Sequence, residues 1–278
     1  MTHRDQGALA RLSAAGPSLY FYSVLPDGAP RAVVGVVHGY GEYGARYIRV
    51  MDAWAQRGLA SIAVDLRGHG RALGRRGYVE RFGDYLDDLR ELERLVLEKN
   101  LPAFLFGHSM GGLVTASAVL EKPAPWRALA LSAPLFGIAL EVPPLKRLAG
   151  RLASRVWPTL ALPNGIRSDE VTHDRELAAA YDKDPLVFHV ATARWFTEVA
   201  DAQERALARA GSLALPLHVV MGTDDRIASY ERARRFFDGA GSSDKTWEAK
   251  DGLFHEVLNE PEWRPIADRI AEFFLSHV

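Results

Sequence analysis

Residues 101–112 read Leu-Pro-Ala-Phe-Leu-Phe-Gly-His-Ser-Met-Gly-Gly, and the fold of the whole chain follows from how this stretch is read. Ala103 to Phe106 is a short apolar run of the kind a buried strand makes. It breaks at Gly107, and a helical pattern follows from Met110 to Glu121. Gly107-His108-Ser109-Met110-Gly111 is a Gly-x-Ser-x-Gly pattern, the signature of a sharp strand-to-helix turn that holds a serine hydroxyl above a sheet. Strand and helix then pass so closely that the positions two before and two after the serine have no room for a Cβ. The helix N-terminus aims its free N–H groups at any negative charge that forms beside Ser109. Five residues alone are weak evidence, because an ordinary glycine-rich turn has the same pattern. The surrounding sequence has to carry the reading.

Upstream, Ser18–Val24 reads as a strand closed by the turn Pro26-Asp27-Gly28, and residues 1–17 read as a loose start. Ala32–Val37 is apolar throughout, as in a strand covered on both faces. It runs into His38-Gly39-Tyr40-Gly41-Glu42-Tyr43-Gly44, a loop whose three glycines let the backbone approach a ligand. Arg46–Arg57 has helical spacing, Leu59–Val64 is a second buried strand, and Tyr85–Glu98 is an amphipathic helix. Ala128–Ser132 is the strand after the elbow helix. Strand and helix alternate, which implies an α/β fold with a mostly parallel sheet and helices on both faces. Residues 136–211 interrupt that rhythm with prolines, mainly helical patterning and no strand-like run. The alternation returns with Leu217–Met221, Ser229–Phe237, Lys245–Ala249 and Glu262–Ser276. The expectation is one domain over residues 1–278 with a helical cap, 136–211, inserted between two strands.

The 278 residues are ample for one large core, and 48% hydrophobic with 25% charged residues is an ordinary globular composition. With 34 basic and 35 acidic side chains there is no electrostatic footprint for nucleic acid. No cysteine occurs, which excludes disulfides and a thiolate nucleophile and suits a reducing cytoplasm. Arg4, Asp5 and Arg11 interrupt any signal-peptide core in the first residues. No His/Asp/Glu grouping has metal-ligand spacing, and no glycine-rich phosphate loop is present.

A serine nucleophile needs a base, and the base needs an orienting acid. On sheets with this elbow they follow in the order Ser, Asp/Glu, His, each after a strand. His255, in Gly252-Leu253-Phe254-His255-Glu256, is the only histidine between His218 (inside a strand) and His277 (at the chain end). Gly222-Thr223-Asp224-Asp225-Arg226 supplies the acid, and chemistry alone does not separate Asp224 from Asp225. Met110 offers one backbone N–H to an oxyanion, and the glycine-rich loop offers the second.

Taken together, His38-Gly39-Tyr40-Gly41-Glu42 with Arg46-Tyr47, Asp65-Leu66-Arg67-Gly68-His69-Gly70, Gly107-His108-Ser109-Met110-Gly111-Gly112, Leu131-Ser132-Ala133-Pro134, Gly222-Thr223-Asp224-Asp225-Arg226 and Phe254-His255-Glu256-Val257-Leu258-Asn259-Glu260 resemble the monoacylglycerol lipase and lysophospholipase-like branch of the α/β-hydrolases. The resemblance covers most of the chain outside the cap, with the motifs in order. It implies an α/β-hydrolase fold and a serine carboxylic-ester hydrolase acting on medium- or long-chain acyl glycerols, with no cofactor. It assigns the acid to Asp225, the residue before the arginine, and the second oxyanion amide to Tyr40. A lysophospholipase, a short-chain carboxylesterase, an acyltransferase and a catalytically silent binding protein are the alternatives.

The resemblance also implies that His38, Asp65, Arg67 and His69 brace their loops, while Glu42 and Arg46 read as a pair four residues apart and His108 as pointing away from the site. In the cap, Phe136, Ile138, Leu140 and Trp195 are the expected pocket residues. Leu135, Leu160, Leu186, Val187, Phe188 and Phe196 either join them or form the cap's own core. Leu145, Leu148, Ala149, Leu152 and Val156 fall on one helical stripe, away from Lys146, Arg147, Arg151 and Arg155. That stripe either packs on the body or rests transiently on a lipid surface.

Overall fold

The computed structural model describes residues 2–8, 18–123, 125–139 and 144–278, with backbone alone for 144–147. The chain begins with β1 (His3–Ala8) and β2 (Tyr20–Leu25), followed by β3 (Ala32–Val37), α1 (Ile48–Ala55), β4 (Leu59–Asp65) and α2 (Gly83–Leu97). Next come β5 (Ala103–His108), α3 (Met110–Glu121) and β6 (Ala128–Ser132). The excursion holds α4 (Pro144–Val156), β7 (Ala161–Pro163), α5 (Arg175–Lys183), β8 (Val190–Thr192) and α6 (Ala193–Arg209). Then β9 (Leu217–Gly222), α7 (Tyr230–Gly239), β10 (Lys245–Lys250) and α8 (Trp263–Leu275) complete the chain.

Eight strands form one sheet in the order β1-β2-β4-β3-β5-β6-β9-β10. Only β2 runs against its neighbours, so the sheet is mostly parallel, as the alternation of strands and helices requires. The central strands are buried on both faces, and their side chains divide by alternation. On β3, Val33 and Val37 pack towards α2, α3 and α6, while Ala32, Val34 and Val36 pack towards α1 and α8. Each face therefore builds its own apolar layer, one around Leu89, Leu92, Leu113 and Phe236, the other around Met51, Trp54, Ile270 and Phe274.

Two strand readings need correction. Residues 3–8, expected to be loose, form β1, paired antiparallel to β2 from His3 opposite Leu25 to Ala8 opposite Tyr20. Its residues are almost all exposed, so an edge strand of polar residues carries no apolar signal. Residues 161–163 and 190–192, inside the stretch that reads as strand-free, pair antiparallel as β7 and β8. Three residues each are too few to display a period. The excursion leaves the sheet after β6 and returns at β9, its immediate neighbour, so the sheet continues unbroken beneath it.

Candidate active site

Ser109 sits between β5 and α3 with φ 52° and ψ −118°, a strained conformation for a residue with a side chain. The surroundings hold it there. Its N–H donates to the Ser132 carbonyl at 2.9 Å, and its own carbonyl accepts the N–H of Leu135 at 3.0 Å. A Cβ on Gly107 would lie 2.4 Å from Thr115 Oγ1 and 2.5 Å from the Gly111 carbonyl oxygen. One on Gly111 would lie 2.3 Å from the Val37 oxygen and 2.4 Å from that of His38. Only glycine fits on either side of the serine.

The loops after β9 and β10 bring the two expected partners to it. His255 Nε2 lies 2.9 Å from Ser109 Oγ, and His255 Nδ1 lies 2.8 Å from Asp225 Oδ2. An ionised carboxylate only accepts, so Nδ1 carries the hydrogen and Nε2 is left to accept the serine proton. The other Asp225 oxygen accepts the N–H groups of Ile227 (2.8 Å) and Ala228 (2.9 Å), which fixes the carboxylate. Asp224 is exposed and, among the described residues, its carboxylate bonds only the Thr223 hydroxyl, so of the two candidates it is Asp225 that lies against His255. Burial pulls the His255 imidazole down. The Asp225 carboxylate, with Glu256 and Glu42 behind it, outweighs burial and holds the pKa above the ordinary histidine value.

Met110 is the first residue of α3, so its N–H is among those with no acceptor within the helix. The glycine-rich loop adjoins Ser109: a Cβ on Gly39 would lie 3.2 Å from Ser109 Cβ. The Gly39 N–H is taken by Glu42 Oε1 at 2.6 Å, and Tyr40 is the next residue. Its ring lies 3.7 Å, centroid to centroid, from that of Trp195 and edge-on to Phe188, and its hydroxyl donates to the Val190 carbonyl of β8 at 2.7 Å. The residue expected to supply an oxyanion amide is thus anchored by its side chain in the excursion.

The braces are where the sequence reading puts them. His38 donates from Nδ1 to the Gly39 carbonyl at 2.7 Å and accepts the Leu66 N–H at Nε2. Asp65 accepts the N–H groups of Gly44 and Arg71, and Arg67 pairs with Asp88. His108 differs from expectation. Alternation does turn it to the α1/α8 side of β5, but His255 approaches from that side, and the two rings lie 4.8 Å apart. Burial, with the charge of His255 next, pushes His108 down to about 3, so it stays neutral beside the triad.

A cavity of about 570 Å³ opens over Ser109 between the sheet and the excursion. Ile138 and Trp195 line it as expected, with Leu135, Leu160 and Phe196. Phe136 does not: it is fully buried and stacked on Phe236 at 3.8 Å, because its side chain turns into the layer beneath α7. Phe188 belongs to the core packed on Tyr40. Leu140 lies outside the described residues.

Missed by sequence reading is a buried ion cluster at the cavity wall. The only hint was the spacing of Glu42 and Arg46. Arg46 bonds Glu42 at 2.6 Å and also grips Glu256, 210 residues away, with two hydrogen bonds of 2.6 and 2.7 Å.

The family model described as serine aminopeptidase, S33 matches residues 28–262. The chain belongs to the serine aminopeptidase S33 family. A monoacylglycerol lipase of Mycolicibacterium smegmatis is 32% identical to this S33 chain over 259 residues, 91% of each protein. A Bacillus subtilis phospholipase, YtpA, is 31% identical over 235 residues, 84% of this chain and 91% of that one. Among solved structures, a monoacylglycerol lipase of Paleococcus ferrophilus superposes with a TM-score of 0.84 at 28% identity, covering 94% of the S33 chain and 99% of that chain.

Proposed function

We propose that this protein hydrolyses monoacylglycerols of medium or long acyl chain through an acyl-enzyme on Ser109. The observation that carries the reading is the Ser109–His255–Asp225 hydrogen-bond chain opening onto a largely apolar cavity. In this mechanism Ser109 Oγ attacks the ester carbonyl while its proton passes to His255 Nε2. The developing imidazolium is held by Asp225, and the oxyanion accepts the N–H groups of Tyr40 and Met110. The proton then goes from Nε2 to the leaving alcohol. Water, deprotonated by the same nitrogen, releases the fatty acid.

The cavity supports a substrate with a long apolar tail and a small polar head. Its walls include Ile138, Ala153, Leu160, Trp195 and Phe196, and Asn164 adds a polar side chain to the lining. The family's peptidase description fits less well, because an aminopeptidase needs a carboxylate for the substrate's ammonium group. Glu42 and Glu256, both on the cavity wall, are already paired with Arg46.

Residues 136–211 are read as the cap, carried by the hydrolase body and roofing this cavity. On α4, Ala149, Gly150 and Ala153 face the cavity, and Ser154 bonds Thr197 of α6. Leu148, Leu152 and Val156 instead face outward, 65%, 63% and 78% exposed, with Arg151 and Arg155 exposed beside them. That stripe favours the lipid-surface reading over packing on the body, with the cations set for anionic headgroups. No helix among the described residues is long and apolar enough to cross a membrane. The cysteine-free chain suits the cytoplasm, with peripheral contact at a lipid surface. The same cationic flank and the Bacillus relative make a lysophospholipase the second reading.

The test is hydrolysis of a monoacylglycerol series of about C4 to C18 by wild type and Ser109→Ala. A rate peaking at medium or long chains and lost by on the order of 10⁶ in the variant supports the proposal. A peak at the shortest chains replaces it with a general esterase. No hydrolysis by the folded wild type, and no labelling by a fluorophosphonate, refutes the enzyme altogether.

A further inference from the structure

The loop that carries Tyr40 and the loop that carries His255 come from opposite ends of the chain, yet ester cleavage needs them fixed to within a fraction of an ångström. One buried side chain ties them together. Arg46 follows the Gly-rich loop and sends Nη1 to Glu42 Oε2 at 2.6 Å, and its two Nη atoms to the two oxygens of Glu256 at 2.6 and 2.7 Å. Glu42 completes the connection on one side. Its other oxygen accepts the Gly39 N–H at 2.6 Å and the Tyr47 hydroxyl at 2.8 Å. Glu256 completes it on the other, being the residue after His255. Its N–H donates to the Val171 carbonyl and its Oε2 accepts from Asn259. The Tyr181 ring of α5 lies under the guanidinium at 4.9 Å.

We infer that Arg46 is a positioning residue for ester cleavage, its guanidinium locking the oxyanion loop through Glu42 against the general-base loop through Glu256. The inference rests on the proposed hydrolase reading and adds a residue to it. Stability alone is a poor reason for such a cluster, since a buried ion pair contributes little over an apolar packing of the same volume. Geometry is a better one. The planar fork of arginine can hold two carboxylates at once, which a lysine ammonium does less rigidly.

The cluster also has an electrical consequence. Its one cation and two anions leave a net negative charge beside His255. The groups facing that imidazole are Asp225, hydrogen-bonded to it, the neutral His108 ring, the Glu256 and Glu42 carboxylates, and Arg46 behind them. His255 works as a base only when neutral. Removing a negative neighbour therefore lets it stay neutral to lower pH.

Two variants of the full chain test this, each checked for folding by circular dichroism and each with its own readout, so that either decides alone. In Glu256→Gln the acid limb of kcat/KM for a soluble p-nitrophenyl ester moves down by about half to one pH unit. Arg46→Lys keeps the charge, so the limb stays in place. Without the fork, kcat falls by about tenfold or more while KM stays within about twofold. The rate of fluorophosphonate labelling at Ser109 follows both changes. An unmoved limb in Glu256→Gln, or wild-type kcat in Arg46→Lys, overturns the inference while leaving the hydrolase reading intact. Wild type that neither cleaves ester nor labels at Ser109 refutes the hydrolase reading itself.

Discussion

Replacing Gly111 by alanine adds one methyl group where the elbow helix crosses closest to the end of β3. Its new Cβ would lie 2.3 Å from the Val37 carbonyl oxygen, 2.4 Å from that of His38 and 2.7 Å from the Val37 carbonyl carbon. Side-chain Cβ atoms do not approach heavy atoms closer than 3.0 Å, so something must move by about 0.7 Å. The obstructing atoms are backbone, and Val37 is the last residue of β3, which is paired with β4 on one side and β5 on the other. The strand cannot slide, so the strain falls on the elbow and on the loop from His38 to Tyr40. Overpacking of this kind costs about 1–3 kcal/mol where side chains can yield. Against backbone the upper end applies. At about 2–4 °C per kcal/mol for a chain of this size, Tm falls by roughly 6–12 °C. A shift approaching 1 Å between Ser109 and the Tyr40 amide costs about 10² in kcat/KM. Differential scanning fluorimetry and hydrolysis of a soluble ester measure the two effects. Gly83→Ala is the control, since a Cβ on that first residue of α2 meets nothing within 4 Å. A Gly111→Ala protein with wild-type Tm and a rate within about twofold of wild type would refute the steric reasoning.

Other expectations follow from the same coordinates. Because His255 is held above the ordinary imidazole value, kcat/KM of the wild type rises with pH along a limb centred above about 6.5, and a pH–rate profile with its midpoint at or below that value contradicts the assignment. Phe136→Ala loses about 3–5 kcal/mol of stability in urea unfolding with an unchanged acyl-chain preference, whereas Ile138→Trp, which fills the cavity, moves the preference to shorter chains with little change in stability; the reverse pattern would return Phe136 to the pocket. Leu152→Glu on the exposed stripe of α4 lowers the rate on emulsified monoacylglycerol by about tenfold and spares a soluble ester, and equal rates on the emulsion would remove the stripe from lipid contact.

Much of the body was legible because its signals are local. The apolar runs of β3 and β5 and the glycines around Ser109 each imply their own geometry, and the order of motifs then selects His255. Alternation also put His108 on the correct face of β5. It could not say that His255 would arrive on that same face, since this depends on a loop nearly 150 residues later. Long-range pairing hid β1 as well: His-Arg-Asp-Gln-Gly-Ala becomes a strand only because β2 offers it an edge. In the excursion, helical spacing marked the apolar side of α4 but could not tell an outward stripe from a packed one. Phe136 and Ile138, two residues apart, part company because one enters the layer under α7 and the other the cavity wall. Arg46 shows the same limit most plainly, since its second partner lies at the far end of the sequence.

If residues 136–211 act as the proposed cap, the anchoring of Tyr40 makes this molecule a poor recipient for a borrowed one. Its ring rests against Trp195 and Phe188, and its hydroxyl is spent on the Val190 carbonyl. A chimera that took residues 136–211 from a relative would bring new walls to the cavity. Unless it also supplied two aromatic rings and a carbonyl at these places, it would leave the residue beside the nucleophile without its footing. On the proposed reading, substrate range and the integrity of the oxyanion site are inherited together, and exchange of specificity between relatives proceeds by small changes on the cavity wall, not by transplanting the roof.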